Sequence, residues 1–187
     1  DSNATSEQIH AFDEALVGVP GPRSIANSAG LLAWPEARRE WVRPGLVLYG
    51  ASPMPDKSAE DLGFRPALQL ASRLLAVRTY EAGSCIGYGA AYVCPERMSV
   101  GVVAVGYADG VPRCLHNGLR APLIGRVSMD MISIDLRGIP DAQVGDSVLI
   151  WGESLPAEEI ARYAGTIAYE LFCGLTNRVR YKYLGGS

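Results

Sequence analysis

The chain has 187 residues, 48% hydrophobic and 20% charged, close to the average for a folded water-soluble protein. Its formal net charge is −3 and its basic residues are scattered, which argues against a nucleic-acid or anionic-membrane surface. No apolar run is long enough to span a bilayer and no signal-peptide pattern opens the chain, so a cytoplasmic protein with neither membrane nor nucleic-acid partners is expected.

The first segment predicts a helix, with Thr5 as cap, Gln8 closing a capping box, and Ile9, Phe12 and Leu16 on one face. A Gly/Pro turn over 18–22 ends it. Residues 23–30 predict a short strand running into a helix capped by Asn27 or Ser28, which stops near Trp34 and Pro35. An apolar strand is expected over 41–50, completing an α/β rhythm. The polar stretch 52–61, with Pro53 and Pro55, predicts a linker between domains.

Beyond the linker the pattern changes to short strands. Leu68, Leu70, Leu74 and Val77 lie in one run, with further strands expected over 100–105, 122–127 and 147–151. Ile132, Ile134 and Leu136 alternate with Ser133 and Asp135, predicting a half-buried strand. A helix is expected after Pro156, a second over 166–171, and a last strand over 178–183. Many short strands with short turns point to a small β-domain. Cys85, Cys94, Cys114 and Cys173 are widely spaced and far in sequence from His10 and His116, so reduced thiols and no metal site are expected.

Three clusters carry chemical interest. Gly106-Tyr107-Ala108-Asp109-Gly110 follows an apolar strand, so Tyr107 sits where a strand opens into a loop whose glycines permit close approach. Ser128-Met129-Asp130-Met131 places one acidic residue between two strands. Arg43-Pro44-Gly45 sets a fixed charge within an apolar strand, where it needs a partner. Singly, each also has a structural reading: a strand-end tyrosine, a turn former, and one side of an ion pair.

Taken together, Ala26-Asn27-Ser28-Ala29, the run 42–50, the Tyr107 loop and the run 125–131, in this order and spacing, resemble the alanine racemases. Gly87-Tyr88-Gly89, the phrase 49–53 and Tyr169-Glu170-Leu171 extend the resemblance over about 5–183. It implies a mainly β chain: a small C-terminal β-barrel-like domain with a few helices at 53–187, preceded at 1–52 by the last βα units of a truncated (β/α)8 barrel. It also implies pyridoxal 5'-phosphate as cofactor, alanine as substrate, D-alanine production for cell-wall synthesis, and a head-to-tail homodimer.

The resemblance assigns roles residue by residue. Asn27 and Ser28 match a phosphate contact, and Gly45 and Leu46 match backbone N–H groups aimed at the same phosphate. Arg43 matches the arginine facing the pyridine nitrogen. An arginine only donates, so that nitrogen stays unprotonated and the ring is a weaker electron sink. This suits racemisation, whereas the related barrel-fold decarboxylases place a carboxylate there. Tyr107 matches the tyrosine that exchanges the proton on one face of the α-carbon, for which its surroundings must favour the phenolate over an ordinary pKa of about 10. A Schiff-base lysine serves the opposite face in the family. Met129 matches a backbone contact to the substrate carboxylate, with Asp130 beside it, and head-to-tail packing would send Tyr107 and Met129 to the partner's cofactor.

The match also has gaps. Lys57 and Lys182 both lack the setting of the covalent lysine and read as surface residues, so this chain by itself is expected to be an inactive piece that begins inside the barrel. About one and a half βα units cannot close a sheet, so residues 1–50 are expected to be disordered, rearranged or packed on another chain. The segment 113–122 is short for the family, Asn177 falls where some members place a phosphate-binding tyrosine, and Ser128 replaces a cysteine. The alternative is a stand-alone, non-catalytic β-domain for binding or oligomerisation, which has no use for Ser28, Gly45 or Arg43.

Overall fold

The computed structural model describes residues 2–112 and 121–185. Two compact units divide the chain, Asp1–Ala67 and Leu68–Ser187.

The first unit begins with helix α1 (Ser2–Ala15), followed by strand β1 (Ser24–Asn27), helix α2 (Ser28–Ala33), a 3₁₀ turn (Pro35–Ala37), strand β2 (Trp41–Arg43) and a second 3₁₀ turn (Leu46–Tyr49). β1 and β2 pair in parallel, Ser24 opposite Trp41 and Asn27 opposite Arg43. Parallel strands need a crossover, and α2 with its following turn supplies it. Ile9, Ala26 and Ala37 form a buried cluster against which Ile25, Leu31, Trp34 and Val42 pack. Asp13 of α1 ties to Arg39 at 2.7 Å. These contacts overturn the expectation that 1–50 is disordered or rearranged, because the apolar faces of α1 and β1 find partners within the unit.

Two local expectations in this unit fail for identifiable reasons. Thr5 lies inside α1 and does not cap it. The strand expected over 41–50 stops at Arg43: Pro44 has no N–H for a ladder and Gly45 takes a helical conformation (φ −54°, ψ −71°), so the chain turns into the 3₁₀ segment. The 52–61 stretch is a loop of this unit, closed where the Ala67 N–H donates to the Tyr49 carbonyl at 2.9 Å. A Cβ on Gly50, at φ +68°, would lie 1.7 Å from the Arg65 carbonyl oxygen, so glycine is required there.

The second unit holds β3 (Leu70–Tyr80), β4 (Cys85–Ile86), β5 (Tyr92–Val93), β6 (Met98–Val103), β7 (Leu123–Ile124), β8 (Ile132–Asp135) and β9 (Ser147–Trp151), then helices α3 (Ala157–Ala164) and α4 (Ala168–Gly174). Its main sheet is antiparallel in the order β7-β8-β6-β3-β9, and β4 and β5 form a separate hairpin. The long β3 pairs with β9 through its first residues and with β6 through the rest. Val100, Val103, Leu136, Trp151, Ile160 and Leu171 are fully buried. The mainly β reading of this region agrees with the observed strands. Asp135, in the alternating strand, is buried rather than outward, because Arg137 folds back onto it with Nε–Oδ1 and Nε–Oδ2 distances of 3.1 and 2.9 Å. Pro156 stands just before α3, the 122–127 strand shrinks to β7, and 178–183 forms no strand. Cys85, Cys94 and Cys173 are free thiols. Cys114, His116 and most of the short 113–122 segment lie outside the described residues. Among the described residues no helix is long and apolar enough to cross a membrane.

Candidate functional site

In the first unit the sequence-predicted residues gather where β1 and β2 end, the edge at which parallel α/β sheets present ligand sites. Asn27, the last residue of β1, caps α2 by accepting the Gly30 N–H at 2.9 Å. That cap fixes the first turn, in which Ser28 is fully buried. The Ser28 hydroxyl accepts the Val47 N–H at 3.4 Å and keeps its own proton to donate. Arg43, at the end of β2, lies on β1. Its Nη1 donates to the Ser24 carbonyl (3.1 Å) and hydroxyl (2.9 Å), and its Nη2 to the Ile25 carbonyl (3.2 Å). No carboxylate among the described residues pairs with it, so the ion-pair reading is not what the structure shows. The Gly45 N–H is already spent on the Arg43 carbonyl at 2.9 Å, whereas the Leu46 N–H meets no acceptor among the described residues. The Ser28 hydroxyl and the Leu46 N–H are therefore the unspent donors here, and Gly45 shapes the turn.

In the second unit the two predicted loops dock on each other. The N–H groups of Tyr107 and Ala108 donate to the carbonyls of Ser128 and Met129, each at 3.0 Å. The 3₁₀ turn Tyr107–Asp109 is locked by the Asp109 carboxylate, which accepts the Gly106 N–H at 2.9 Å. Gly106 is required for this contact, since a Cβ would stand 2.3 Å from the Met129 oxygen. Met129 is half exposed, and its N–H meets no acceptor among the described residues. Tyr107 is half-buried and lines an open pocket of about 500 Å³ with Val111, Thr166, Glu170, Leu171 and Gly174.

Three features were not anticipated. Arg178 reaches both loops, with Nε 3.3 Å from Asp109 and Nη2 2.5 Å from Asp130. The hydrogen bond to Asp130 raises the Arg178 pKa against a smaller opposing pull from desolvation. Thr176 adds a hydroxyl bond to the Ala108 carbonyl at 2.7 Å. The third is Tyr88, 71% exposed between Gly87 (φ +76°) and Gly89 (φ +68°), with Ala90 at φ +51° following. Left-handed backbone at a non-glycine residue stores strain of the kind found at functional sites. The β4–β5 turn also packs on the segment leading to Met129: a Cβ on Gly87 would lie 3.2 Å from the Arg126 nitrogen. The glycines flanking Tyr88 were the available sequence signal. Asn177 is exposed in the second unit, and Lys57 and Lys182 are exposed.

Residues 67–183 match the family model for the alanine racemase C-terminal domain, and residues 1–53 match the alanine racemase N-terminal domain. The chain belongs to the alanine racemase family. It is 48% identical over 193 positions to the alanine racemase of Halorhodospira halophila, an alignment covering 100% of this chain and 53% of that protein. Among solved structures, the biosynthetic alanine racemase from Pseudomonas aeruginosa superposes with a TM-score of 0.89 at 42% identity, covering 96% of this chain and 52% of that one. The alanine racemase from Bartonella henselae with covalently bound pyridoxal phosphate gives 0.85 at 28% identity, covering 97% and 52%. The chain spans about half the length of the relatives it matches. The family is pyridoxal-phosphate-dependent and its members are isomerases.

Proposed function

We propose that this chain is the C-terminal portion of a cytoplasmic, pyridoxal-phosphate-dependent alanine racemase, a head-to-tail homodimer interconverting L- and D-alanine for cell-wall synthesis. On this reading residues 1–52 are the last βα units of the barrel and 53–187 the C-terminal β-domain. The observation that carries it is the docking of the Tyr107 turn on the Met129 loop, which leaves the adjacent Met129 and Asp130 N–H groups without an acceptor among the described residues.

The residues at the ends of β1 and β2 fit the cofactor's two polar ends. The Ser28 hydroxyl and the Leu46 N–H suit a phosphate, with Asn27 and Gly45 holding the turns that present them. Arg43, pinned by Ser24 and Ile25, has donors left for the pyridine nitrogen and no proton to give it. When bound, the cofactor withdraws electron density from the amino acid's α-carbon and makes its proton removable. The Met129 N–H receives the substrate carboxylate, beside Asp130.

Inversion at carbon needs a proton carrier on each face. This chain offers a phenol for one face and no suitably placed lysine for the other. The motif around Gly106-Tyr107-Ala108-Asp109-Gly110 supports Tyr107 as that phenol. A second reading, favoured by surface display, assigns it to Tyr88: a group delivered to another subunit must project from its own, and Tyr88 does so while Tyr107 lies half-buried. Tyr107 then lines the approach. The functional test compares this chain alone with the same chain joined to a lysine-bearing barrel half, following alanine enantiomers by chiral chromatography. The joined form should racemise, and the chain alone should neither racemise nor form a stoichiometric borohydride-reducible adduct with pyridoxal phosphate. Activity in the chain alone, or none in the joined form, overturns the proposal.

A further inference from the structure

We infer that Arg178 is a positioning residue, tying the Tyr107 turn to the Met129 loop and thereby fixing the backbone donor that takes the substrate carboxylate. The inference rests on the Met129 assignment made above. Arg178 stands 48 residues beyond Asp130 in sequence, so only the fold brings the two together. Its planar guanidinium addresses two carboxylates at once: Nε faces Asp109 at 3.3 Å and Nη2 faces Asp130 at 2.5 Å. The two anchors differ. Asp109 is nearly buried, with a side chain 16% exposed, and is also fixed by the Gly106 N–H. Asp130 is 53% exposed, and Arg178 is its one side-chain partner among the described residues.

Removing Arg178 therefore leaves the Tyr107 turn largely held, by Asp109 and by the Thr176 bond to Ala108, but releases Asp130, so that the Met129 backbone beside it rests on the Tyr107 and Ala108 bonds without the side-chain tether. Ion pairs at this exposure add little to global stability. Their consequence falls on where the loop sits, and a displacement of about 1 Å in a substrate contact is enough to weaken it severely. A lysine cannot replace the fork, since a single ammonium on a flexible stem meets one carboxylate at a time.

The test uses the full-length enzyme carrying Arg178→Met, Arg178→Lys, Asp130→Asn, or Arg178→Met with Asp130→Asn. Arg178→Met should raise KM for both alanine enantiomers about tenfold while kcat stays within about twofold. Amide exchange at Tyr107 and Ala108, which donate to the Met129 loop, should quicken while that of β6 and β8 does not change. Asp130→Asn should reproduce the KM rise, the double variant should add nothing further, and Arg178→Lys should recover only part. An unchanged KM in Arg178→Met overturns the inference, as does loss of protection throughout the sheet or additivity in the double variant. If the exchange result holds but the chain joined to a lysine-bearing barrel half fails to racemise, the racemase reading falls and the Arg178 tether stands.

Discussion

Replacing Gly106 by alanine probes the contact on which the second-unit site is built. Gly106 has extended backbone (φ −151°, ψ −165°), which any residue adopts, so the cost of a methyl group is purely steric. The new Cβ would stand 2.3 Å from the Met129 oxygen and 2.4 Å from the Ser128 oxygen. Both are backbone atoms, so no side chain can swing aside, and relief requires the loops to part by roughly 1 Å, the shortfall from an ordinary contact near 3.4 Å. That movement breaks the two 3.0 Å bonds from Tyr107 and Ala108. Two lost hydrogen bonds at about 1 kcal/mol each, with overpacking of at least about 1 kcal/mol, give on the order of 3 kcal/mol. Urea titration reads this as a lowered midpoint at constant slope. Gly138→Ala is the control, since nothing lies within 4 Å of its Cβ, and its effect should stay within about 0.5 kcal/mol. Equal midpoints for the two variants would show that the loops are not docked as described.

Arg137→Met should destabilise the protein by about 1–3 kcal/mol at neutral pH, because Asp135 stays buried without its guanidinium. Burial pushes the Asp135 carboxyl up, but the hydrogen bonds and charge of Arg137 together outweigh it and hold the group below its ordinary value. Since the folded pKa is depressed, this contribution is present above the unfolded value of about 3.9 and is lost as pH falls through the folded one. The gap between wild type and Arg137→Met should therefore narrow below about pH 4, and a gap that widens there refutes the assignment. Ser28→Ala should raise the full-length enzyme's cofactor Kd about tenfold, the loss expected for one hydrogen bond to a charged group. Unchanged cofactor retention on dialysis would remove Ser28 from the phosphate cradle.

Much of the fold was legible because its signals are local. The alternation through Ile132 and Ile134 gave β8, Pro156 marked the start of α3, and Asn27 capped α2. The failures came where a distant residue or a backbone detail decides the outcome. Asp135 looks outward-facing by alternation, yet Arg137 makes its burial tolerable. The run 41–50 is apolar enough for a strand, and Pro44-Gly45 turns it. The tail reads as strand, while its Arg178 reaches back to residues 109 and 130. At the site, motif spacing singled out Tyr107 and Met129 but carried no information on exposure. The glycines flanking Tyr88 hinted at a turn, but the strain at Ala90 that accompanies its display appears only in the backbone angles.

In the proposed racemase a phenol of the second unit moves a proton at the substrate's α-carbon. Deuterium incorporation from solvent into each alanine enantiomer, measured for full-length Tyr88→Phe and Tyr107→Phe, tests it most directly. One variant, Tyr88→Phe on the structural argument, should lose exchange starting from one enantiomer while the opposite enantiomer still exchanges. Near wild-type incorporation from both enantiomers in both variants would mean that neither phenol moves that proton.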